Sequence, residues 1–104
     1  MHISFTLQAF AEYQEWQIQD RRVAGKINRL INDIMRHPYE GLGKPEALKY
    51  DLQGYWSRRI DNRHRLVYFI EEDGSYHNTM PRILLNRFVN LRFEIMGTPL
   101  DLLS

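Results

Sequence analysis

The sequence EALKYDLQGYWSRRIDNRHRLVYFI, residues 46–70, decides the fold because it contains three strand-like segments and two turns. The turns are Gln53-Gly54 and Asp61-Asn62-Arg63, and both are rich in residues that accept the backbone angles of tight turns. The segments between them carry the aromatic and aliphatic residues that favour strands. The stretch therefore predicts three consecutive antiparallel strands, over Leu48–Leu52, Tyr55–Ile60 and Arg65–Ile70.

Two helices precede these strands. Residues 2–7 alternate polar and apolar side chains, which predicts a short first strand, and Thr6 can then cap a helix. After Asp20 the apolar residues recur at helical spacing, at Val23, Ile27, Leu30, Ile31 and Ile34. This second helix is expected to end near His37-Pro38, because a residue before proline avoids helical geometry. The prediction is an α+β fold, with an N-terminal strand and a two-helix hairpin packed on a small twisted antiparallel sheet.

The chain beyond the turn at residues 71–74 gives no single secondary-structure prediction. Residues 75–81 are polar and include Pro81, which does not suit a central strand. Residues 83–96 fit two templates. Their apolar residues suit one face of a helix, and they also alternate as in a strand, so periodicity leaves both open.

The composition excludes several classes of protein. With 104 residues, of which 43% are hydrophobic, the chain builds one modest core. The absence of cysteine excludes disulfides, iron–sulfur ligation, thiolate zinc sites and a cysteine nucleophile. No apolar run reaches the roughly 18 residues of a membrane-spanning helix, and the first residues do not resemble a secretion signal. We therefore expect a soluble, cytoplasmic single domain.

The net charge of +1 conceals a strong segregation of charge. Residues 1–20 carry −3, residues 21–65 carry +6 and residues 66–104 carry −2. A basic segment in a nearly neutral protein indicates contact with a polyanion, since phosphates are bound by Lys and Arg. The alternative is a solvated helix surface with ordinary ion pairs, and charge alone does not decide between them.

The basic segment contains residues suited to cutting a phosphodiester without a metal ion. Glu46 is a candidate base, and arginines on strands can hold a phosphate in a rigid position. No cofactor is expected, because the sequence has no cluster of carboxylates or closely spaced histidines. Lys49 follows Glu46 closely, and the paired strands after it carry Arg58, Arg59, Arg63, His64 and Arg65.

Each of these residues also has a structural explanation. Glu46 can form a loop salt bridge, and arginines on a sheet edge can simply oppose aggregation. His64 beside a turn suits a surface histidine, and Tyr55 and Trp56 suit buried packing as well as base stacking. The residue types alone leave these alternatives open.

The stretch EGLGKPEALKYDLQGYWSRRIDNRHRLVY, residues 40–68, resembles the YoeB-like toxins of the RelE/ParE superfamily. Trp16 and the pattern Asp20-Arg21-Arg22 agree with this resemblance. It implies a compact α+β toxin without a cofactor that cuts mRNA on the ribosome and is inhibited by a YefM-like antitoxin. It implies Glu46 as general base and Arg65 as the arginine that stabilises the reacting phosphate, with RNA contacts at Lys49, Arg59 and, from the basic cluster, Arg58. A homodimer is a further possibility, and no membrane partner is expected.

The resemblance ends near residue 74. YoeB-like chains finish soon after the turn in an Arg-Tyr-His-Tyr sequence whose histidine is the general acid, and here Ile83 and Leu84 fall at about the positions of that His-Tyr pair. His77 supplies a histidine nearer the turn and is the candidate acid. We divide the chain into a toxin domain, residues 1–74, and a divergent segment, residues 75–104, that replaces or extends the last strand. A frameshift near residue 74 would explain the change.

Two further functions remain as alternatives. One is a catalytically impaired relative that retains antitoxin or ribosome binding, which the missing terminal His-Tyr favours. The other is an RNA-binding domain with no requirement for the ribosome, which the basic segment favours.

Overall fold

In the computed structural model, which describes residues 2–71 and 82–90, two helices pack on one face of a five-stranded sheet. The elements follow one another as β1 (His2–Phe5), α1 (Leu7–Gln19), α2 (Arg21–Arg36), β2 (Glu46–Ala47), a 3-10 turn (Tyr50–Leu52), β3 (Tyr55–Arg59), β4 (His64–Glu71) and β5 (Arg82–Asn90). This arrangement confirms the predicted α+β fold with its first strand and helical pair.

Local side-chain caps define the two helices. Thr6 Oγ1 accepts a hydrogen bond from the Ala9 N–H at 3.0 Å and so begins α1. A single residue, Asp20, joins the helices: its carboxylate accepts from the N–H groups of Arg22 and Val23, and its own N–H donates to Trp16 O. Because the backbone of Asp20 is extended rather than helical, the chain turns there and α2 packs against α1, as the sequence predicted.

The core lies between the helices and the sheet. Ile27, Leu30 and Ile34 of α2 are fully buried against alternate residues of β4 and β5. The strand residues of this cluster are Leu66, Tyr68, Ile70, Ile83, Leu85 and Phe88. Successive residues of a strand point to opposite faces, so Arg65, Val67 and Phe69 lie on the face away from the helices, which we call the site face.

The strand order is β1-β5-β4-β3-β2. Three of the strand pairs are antiparallel, and β1 runs parallel to β5, so the sheet is mixed rather than wholly antiparallel as predicted. Residues 82–90 form a strand, so for that part of the chain the structure selects the strand over the helix, both of which the sequence left open. Residues 91–96 lie outside the described residues.

The predicted strand Leu48–Leu52 is wrong. Only Glu46 and Ala47 form the edge strand β2, and the chain then enters the 3-10 turn. Tyr50 has a φ of 57°, in the left-handed region, which interrupts an extended strand. The turn carries Leu52 to a small apolar cluster with Val67 on the site face, and this burial favours the turn over a straight strand.

Across the two described ranges, neither helix is long and apolar enough to cross a membrane.

Candidate active site

Glu46, Ser57 and Arg65 meet on the site face of three adjacent strands. Glu46 pairs with Ser57 across β2 and β3, and Arg59 pairs with Arg65 across β3 and β4. Arg65 Nη1 lies 3.3 Å from Glu46 Oε2 and donates a hydrogen bond of 3.3 Å to Ser57 Oγ. The sheet register therefore brings together the two residues that the resemblance selects.

The two members of this ion pair differ in their exposure. The side chain of Arg65 is 5% exposed, whereas that of Glu46 is 56% exposed. A buried guanidinium has few alternative positions, so its charge is already oriented before a ligand arrives. An exposed carboxylate can reach a ligand and accept a proton from it. The pair thus combines a fixed cation with an accessible base.

Arg59 and Lys49 add exposed cations beside this pair. Arg59 stands opposite Arg65 in the sheet register, and its N–H donates to Gly43 O at 2.7 Å, which fixes the backbone there. Lys49 precedes the 3-10 turn next to β2. Both side chains are exposed and are therefore accessible to a polyanion at this edge of the sheet.

Arg58 is buried and faces the helices, which differs from its predicted role in RNA binding. Its guanidinium is fully buried. It donates a hydrogen bond of 2.5 Å to Asp33 Oδ2 and one of 3.2 Å to the Tyr68 hydroxyl. It also donates to the backbone carbonyls of His37, Glu40 and Leu42. A guanidinium has five N–H donors, and five hydrogen bonds use all of them. Arg58 is therefore not presented to a ligand, and we leave it out of the site.

The Arg58 network joins helix, loop and sheet. Hydrogen bonds from the Leu42 N–H and from Arg58 hold the pKa of Asp33 below its ordinary value of 3.8. Tyr68 donates to Pro38 O at 2.6 Å, and burial raises the pKa of its hydroxyl. The network holds the loop after α2 against β3 just before the chain reaches Glu46.

His64 lies on the helix side of β4. Its ring is 4.8 Å from that of Trp16, centroid to centroid, and its Nδ1 is 3.0 Å from Asp61 Oδ1. Because alternate residues face opposite sides of a strand, His64 and Arg65 are on different faces. His64 is thus not a candidate acid for the Glu46–Arg65 site.

The general acid is not identified by the described residues. His77 lies outside them. Ile83 and Leu84 pair with Ile70 and Phe69, about 13–17 Å along β4 from Arg65 at the usual rise per residue. The residues of β5 that stand opposite Arg65 and His64 are Val89 and Asn90. Counting residues from the turn therefore led to Ile83 and Leu84, which lie at the end of β5 that is distant from Arg65.

The side-chain partners of Arg65 and Arg58 were not predicted from the sequence. Ser57 contacts Arg65, and its position on the same face as Arg59 was visible in the strand alternation. Asp33 neutralises Arg58, and it is the single acidic residue of α2. A buried arginine requires such a partner, but only the fold shows which arginine is buried.

Residues 2–71 and 82–90 contain no group of three or more His, Asp or Glu side chains placed to hold a metal ion.

Comparisons with known proteins identify the family. The family described as the YoeB-like toxin of bacterial type II toxin–antitoxin systems matches residues 5–79. Toxin YoeB of Streptomyces coelicolor is 56% identical over 73 residues, which cover 70% of this chain and 87% of that protein.

Solved structures extend the likeness to the fold. A YoeB/ParE toxin from Agrobacterium tumefaciens superposes with a TM-score of 0.78 at 41% identity, covering 86% of this chain and 98% of that one. YoeB of Staphylococcus aureus, solved as a dimer and in a heterotetrameric complex with YefM, gives 0.73 at 39% identity, covering 86% and 94%. By sequence and by fold, the chain belongs to the YoeB-like toxins of bacterial type II toxin–antitoxin systems.

Proposed function

We propose that this toxin is a ribosome-dependent mRNA endonuclease that inhibits translation. The observation that carries the proposal is the ion pair between the buried Arg65 and the exposed Glu46, with the exposed cations Lys49 and Arg59 on the same edge of the sheet. Cleavage of a phosphodiester without a metal ion needs a base and a fixed positive charge at the reacting phosphate, and Glu46 and Arg65 can supply them.

The proposed reaction is attack by the ribose 2′-hydroxyl on the adjacent phosphorus. Glu46 accepts the 2′-hydroxyl proton as the 2′-oxygen bonds to phosphorus, and the Arg65 guanidinium stabilises the negative charge of the five-coordinate phosphorane. The bond from phosphorus to the 5′-oxygen then breaks, and that oxygen takes a proton from an acid. The products are a 2′,3′-cyclic phosphate and a 5′-hydroxyl, and no step requires a metal ion.

Ser57 supports this reaction through Arg65. The hydrogen bond from Arg65 Nη1 to Ser57 Oγ fixes the guanidinium on the side where Glu46 lies. Lys49 and Arg59 contact the RNA backbone beside the reacting phosphate, because exposed cations bind phosphates. His77 is the residue that we propose as the acid.

The partners follow from the solved relatives. Since Staphylococcus aureus YoeB assembles with YefM and is also found as a dimer, we propose a YefM-like antitoxin and a homodimer for this chain in the cytoplasm. An antitoxin segment that covers Glu46 and Arg65 would block RNA from the site. Addition of the antitoxin should therefore suppress cleavage.

The test is cleavage of mRNA on programmed ribosomes by the purified full chain. We expect cuts within the ribosome-bound codon that leave 2′,3′-cyclic phosphate and 5′-hydroxyl ends. The matched control is the same mRNA with a 2′-deoxynucleotide on the 5′ side of the cut, which removes the attacking hydroxyl. Cleavage that persists in the deoxy mRNA would exclude 2′-hydroxyl attack.

The second candidate is a catalytically impaired relative that retains antitoxin or ribosome binding. The register of β5 favours it, because Val89 and Asn90 stand opposite Arg65 and His64 and neither residue type is an acid. Loss of a general acid costs on the order of 10²–10⁴ in rate. Antitoxin binding and co-sedimentation with ribosomes, without cleavage, would support this candidate. Rapid cleavage by the purified chain would exclude it.

A further inference from the structure

The 3-10 turn after β2 holds Tyr50 in a backbone conformation that a tyrosine disfavours. Its φ is 57°, in the left-handed region, where the Cβ of an L residue crowds the neighbouring backbone. Glycine, asparagine and aspartate are the residues that usually occupy such positions. Backbone preference therefore does not explain the tyrosine at this place in the turn.

Burial does not explain this tyrosine either. Tyr50 is 77% exposed. Among the residues that the structure describes, its ring stacks on no other ring and its hydroxyl forms no hydrogen bond. A side chain with so few contacts contributes little to folding. A residue that is both strained and exposed is typical of a site that binds a ligand.

The turn that carries Tyr50 is attached firmly to the sheet. Within it, the Leu52 N–H donates to Lys49 O at 3.2 Å. The Gln53 N–H donates to Tyr50 O at 3.0 Å. Leu52 is 4% exposed and packs against Val67 on the site face. The backbone of Tyr50 is thus fixed relative to the sheet before a ligand binds.

Tyr50 lies beside the proposed cleavage site. It follows Glu46 by four residues, so the two Cα atoms are at most about 14 Å apart at about 3.6 Å per residue. Lys49, an exposed cation that we propose as a contact of the RNA backbone, immediately precedes it. A nucleotide next to the one that reacts is therefore within reach of the Tyr50 ring.

The other aromatic residues on these strands are used within the fold. The Tyr55 ring lies 5.2 Å from that of Phe69, centroid to centroid. Trp56 packs against the main core and lies 5.0 Å from the ring of Tyr39. The sequence offered Tyr55 and Trp56 for base stacking, and both have packing partners here. Of the described aromatic residues, Tyr50 is the most exposed.

The charges around Tyr50 favour a nucleobase over a phosphate. Lys49 precedes it and Asp51 follows it, and both are exposed, so the turn has no net charge. A phosphate gains little from such a balanced pair, whereas the flat face of a base stacks on an aromatic ring whatever its sequence. Surfaces that bind single-stranded RNA combine such rings with nearby cations, which Lys49 and Arg59 supply.

We propose that Tyr50 is a base-stacking residue, whose ring receives the nucleobase of an mRNA nucleotide next to the one that reacts. The inference rests on the proposed nuclease function and adds to it a residue that positions the strand along β2. Stacking fixes the orientation of that nucleotide, so the neighbouring 2′-hydroxyl and phosphate reach Glu46 and Arg65 in a defined geometry.

Photocrosslinking on programmed ribosomes tests this contact directly. The mRNA carries 5-iodouridine at one position at a time in and beside the ribosome-bound codon, and 2′-O-methyl groups at these positions prevent cleavage. Irradiation joins the iodouridine to an aromatic ring stacked on it, and mass spectrometry of the toxin peptides identifies the residue. We expect a crosslink at Tyr50 from one position or its neighbour. Tyr39, an exposed tyrosine in the loop after α2, should form none.

Matched tyrosine variants measure the contribution of the ring. Tyr50→Leu should raise the toxin concentration for half-maximal cleavage on programmed ribosomes on the order of tenfold, because the stacking is lost. Tyr50→Phe keeps the ring and should restore the concentration of the unmodified chain. Tyr39→Leu is the control and should leave it unchanged.

A glycine variant separates stacking from folding. Tyr50→Gly relieves the left-handed strain, so it should unfold at the same urea concentration as the unmodified chain or a higher one, while its cleavage weakens like that of Tyr50→Leu. The control in the same turn is Gln53→Gly. Gln53 is exposed with a φ of −58°, so glycine there only adds freedom to the unfolded chain and should lower the urea midpoint.

Several results would overturn the proposal. They are the absence of a crosslink at Tyr50 from every position, an unchanged half-maximal concentration in Tyr50→Leu, and a lowered urea midpoint in Tyr50→Gly, which would make the ring structural. Loss of antitoxin binding in Tyr50→Leu without any RNA crosslink would assign the ring to a protein partner. The crosslinked mRNA is never cut, so failure of the nuclease proposal is recognised separately, as absence of cleavage of unmethylated mRNA by the unmodified chain.

Discussion

Arg58 and Arg65 are both buried arginines on neighbouring strands, and they serve the molecule differently. Arg58 faces the helices and gives all its donors to Asp33, Tyr68 and the loop that follows α2. Arg65 faces the other way and pairs with an exposed carboxylate. Burial alone therefore does not identify a functional arginine. The accessibility of the partner distinguishes the two arginines, because a ligand can reach the Arg65 pair and cannot reach the Arg58 network.

The largest effect on stability is expected from Arg58→Leu. The substitution leaves Asp33, the Tyr68 hydroxyl and three carbonyls without their donor, and breaking a buried ion pair in this way costs about 3–5 kcal/mol. The free energy of unfolding from urea titration measures it. The matched control is Arg59→Leu at the exposed neighbouring position, which should change that free energy by only about 0.5 kcal/mol. Equal effects of the two substitutions would contradict the structural role of Arg58.

A smaller loss of stability is expected from Gly43→Ala, at the point where the loop meets β3. Gly43 has a φ of +77°, and a Cβ there would lie 2.9 Å from Arg59 O and 2.8 Å from Leu30 Cδ2. Strain at a left-handed position with such close contacts costs about 1–3 kcal/mol. The same urea titration measures it, with Gly25→Ala in α2 as a control because the nearest contact there is an ordinary 3.6 Å. A stable Gly43→Ala variant would show that this loop is not held as described.

The charge of Asp33 should appear in the pH dependence of stability. The pKa of Asp33 is lowered in the folded chain, so its contribution is complete above the ordinary value of 3.8 and is lost as the pH falls through the folded value. Asp33→Asn should therefore lose about 1 kcal/mol near neutral pH, the difference between a charged and a neutral acceptor. The difference between the two proteins should shrink in acid. A constant difference across this range would contradict the lowered pKa.

The smallest effect on stability is expected at the exposed member of the Glu46–Arg65 ion pair. The Glu46 carboxylate is 56% exposed, and such ion pairs contribute about 0–1 kcal/mol. Glu46→Gln should therefore unfold at nearly the same urea concentration as the unmodified chain. A loss as large as that of Arg58→Leu would show that Glu46 is structural and would remove the contrast between the two arginines.

Periodicity and capping predicted the parts of the fold that depend on local sequence. The apolar spacing of α2, the cap at Thr6 and the aromatic and aliphatic residues of β3 and β4 all predicted elements that the structure confirms. The short β2 was not predicted, since Leu48 and Leu52 suit a strand as well as a turn. The left-handed Tyr50 depends on a contact between Leu52 and Val67 that is distant in sequence. The parallel pairing of β1 with β5 is likewise a long-range property.

The candidate site was predicted in part, for a similar reason. Charge and family resemblance selected Glu46 and Arg65, and the sheet register brings them into contact. The same reasoning placed Arg58 beside them, because a run of arginines looks alike in sequence whichever way each side chain points. Strand alternation separates Arg58 from Arg59, but only the packed helices show which of the two faces is buried.

The most direct test of the Glu46–Arg65 site is the single-turnover rate of mRNA cleavage on programmed ribosomes by Glu46→Gln. Glu40→Gln is the control, since Glu40 is an exposed carboxylate in the preceding loop and its side chain is 82% exposed. We predict that Glu46→Gln cuts more slowly by a factor on the order of 10²–10⁴ while retaining its stability, and that Glu40→Gln cuts at the full rate. An undiminished rate in Glu46→Gln would contradict the assignment of Glu46 as the base.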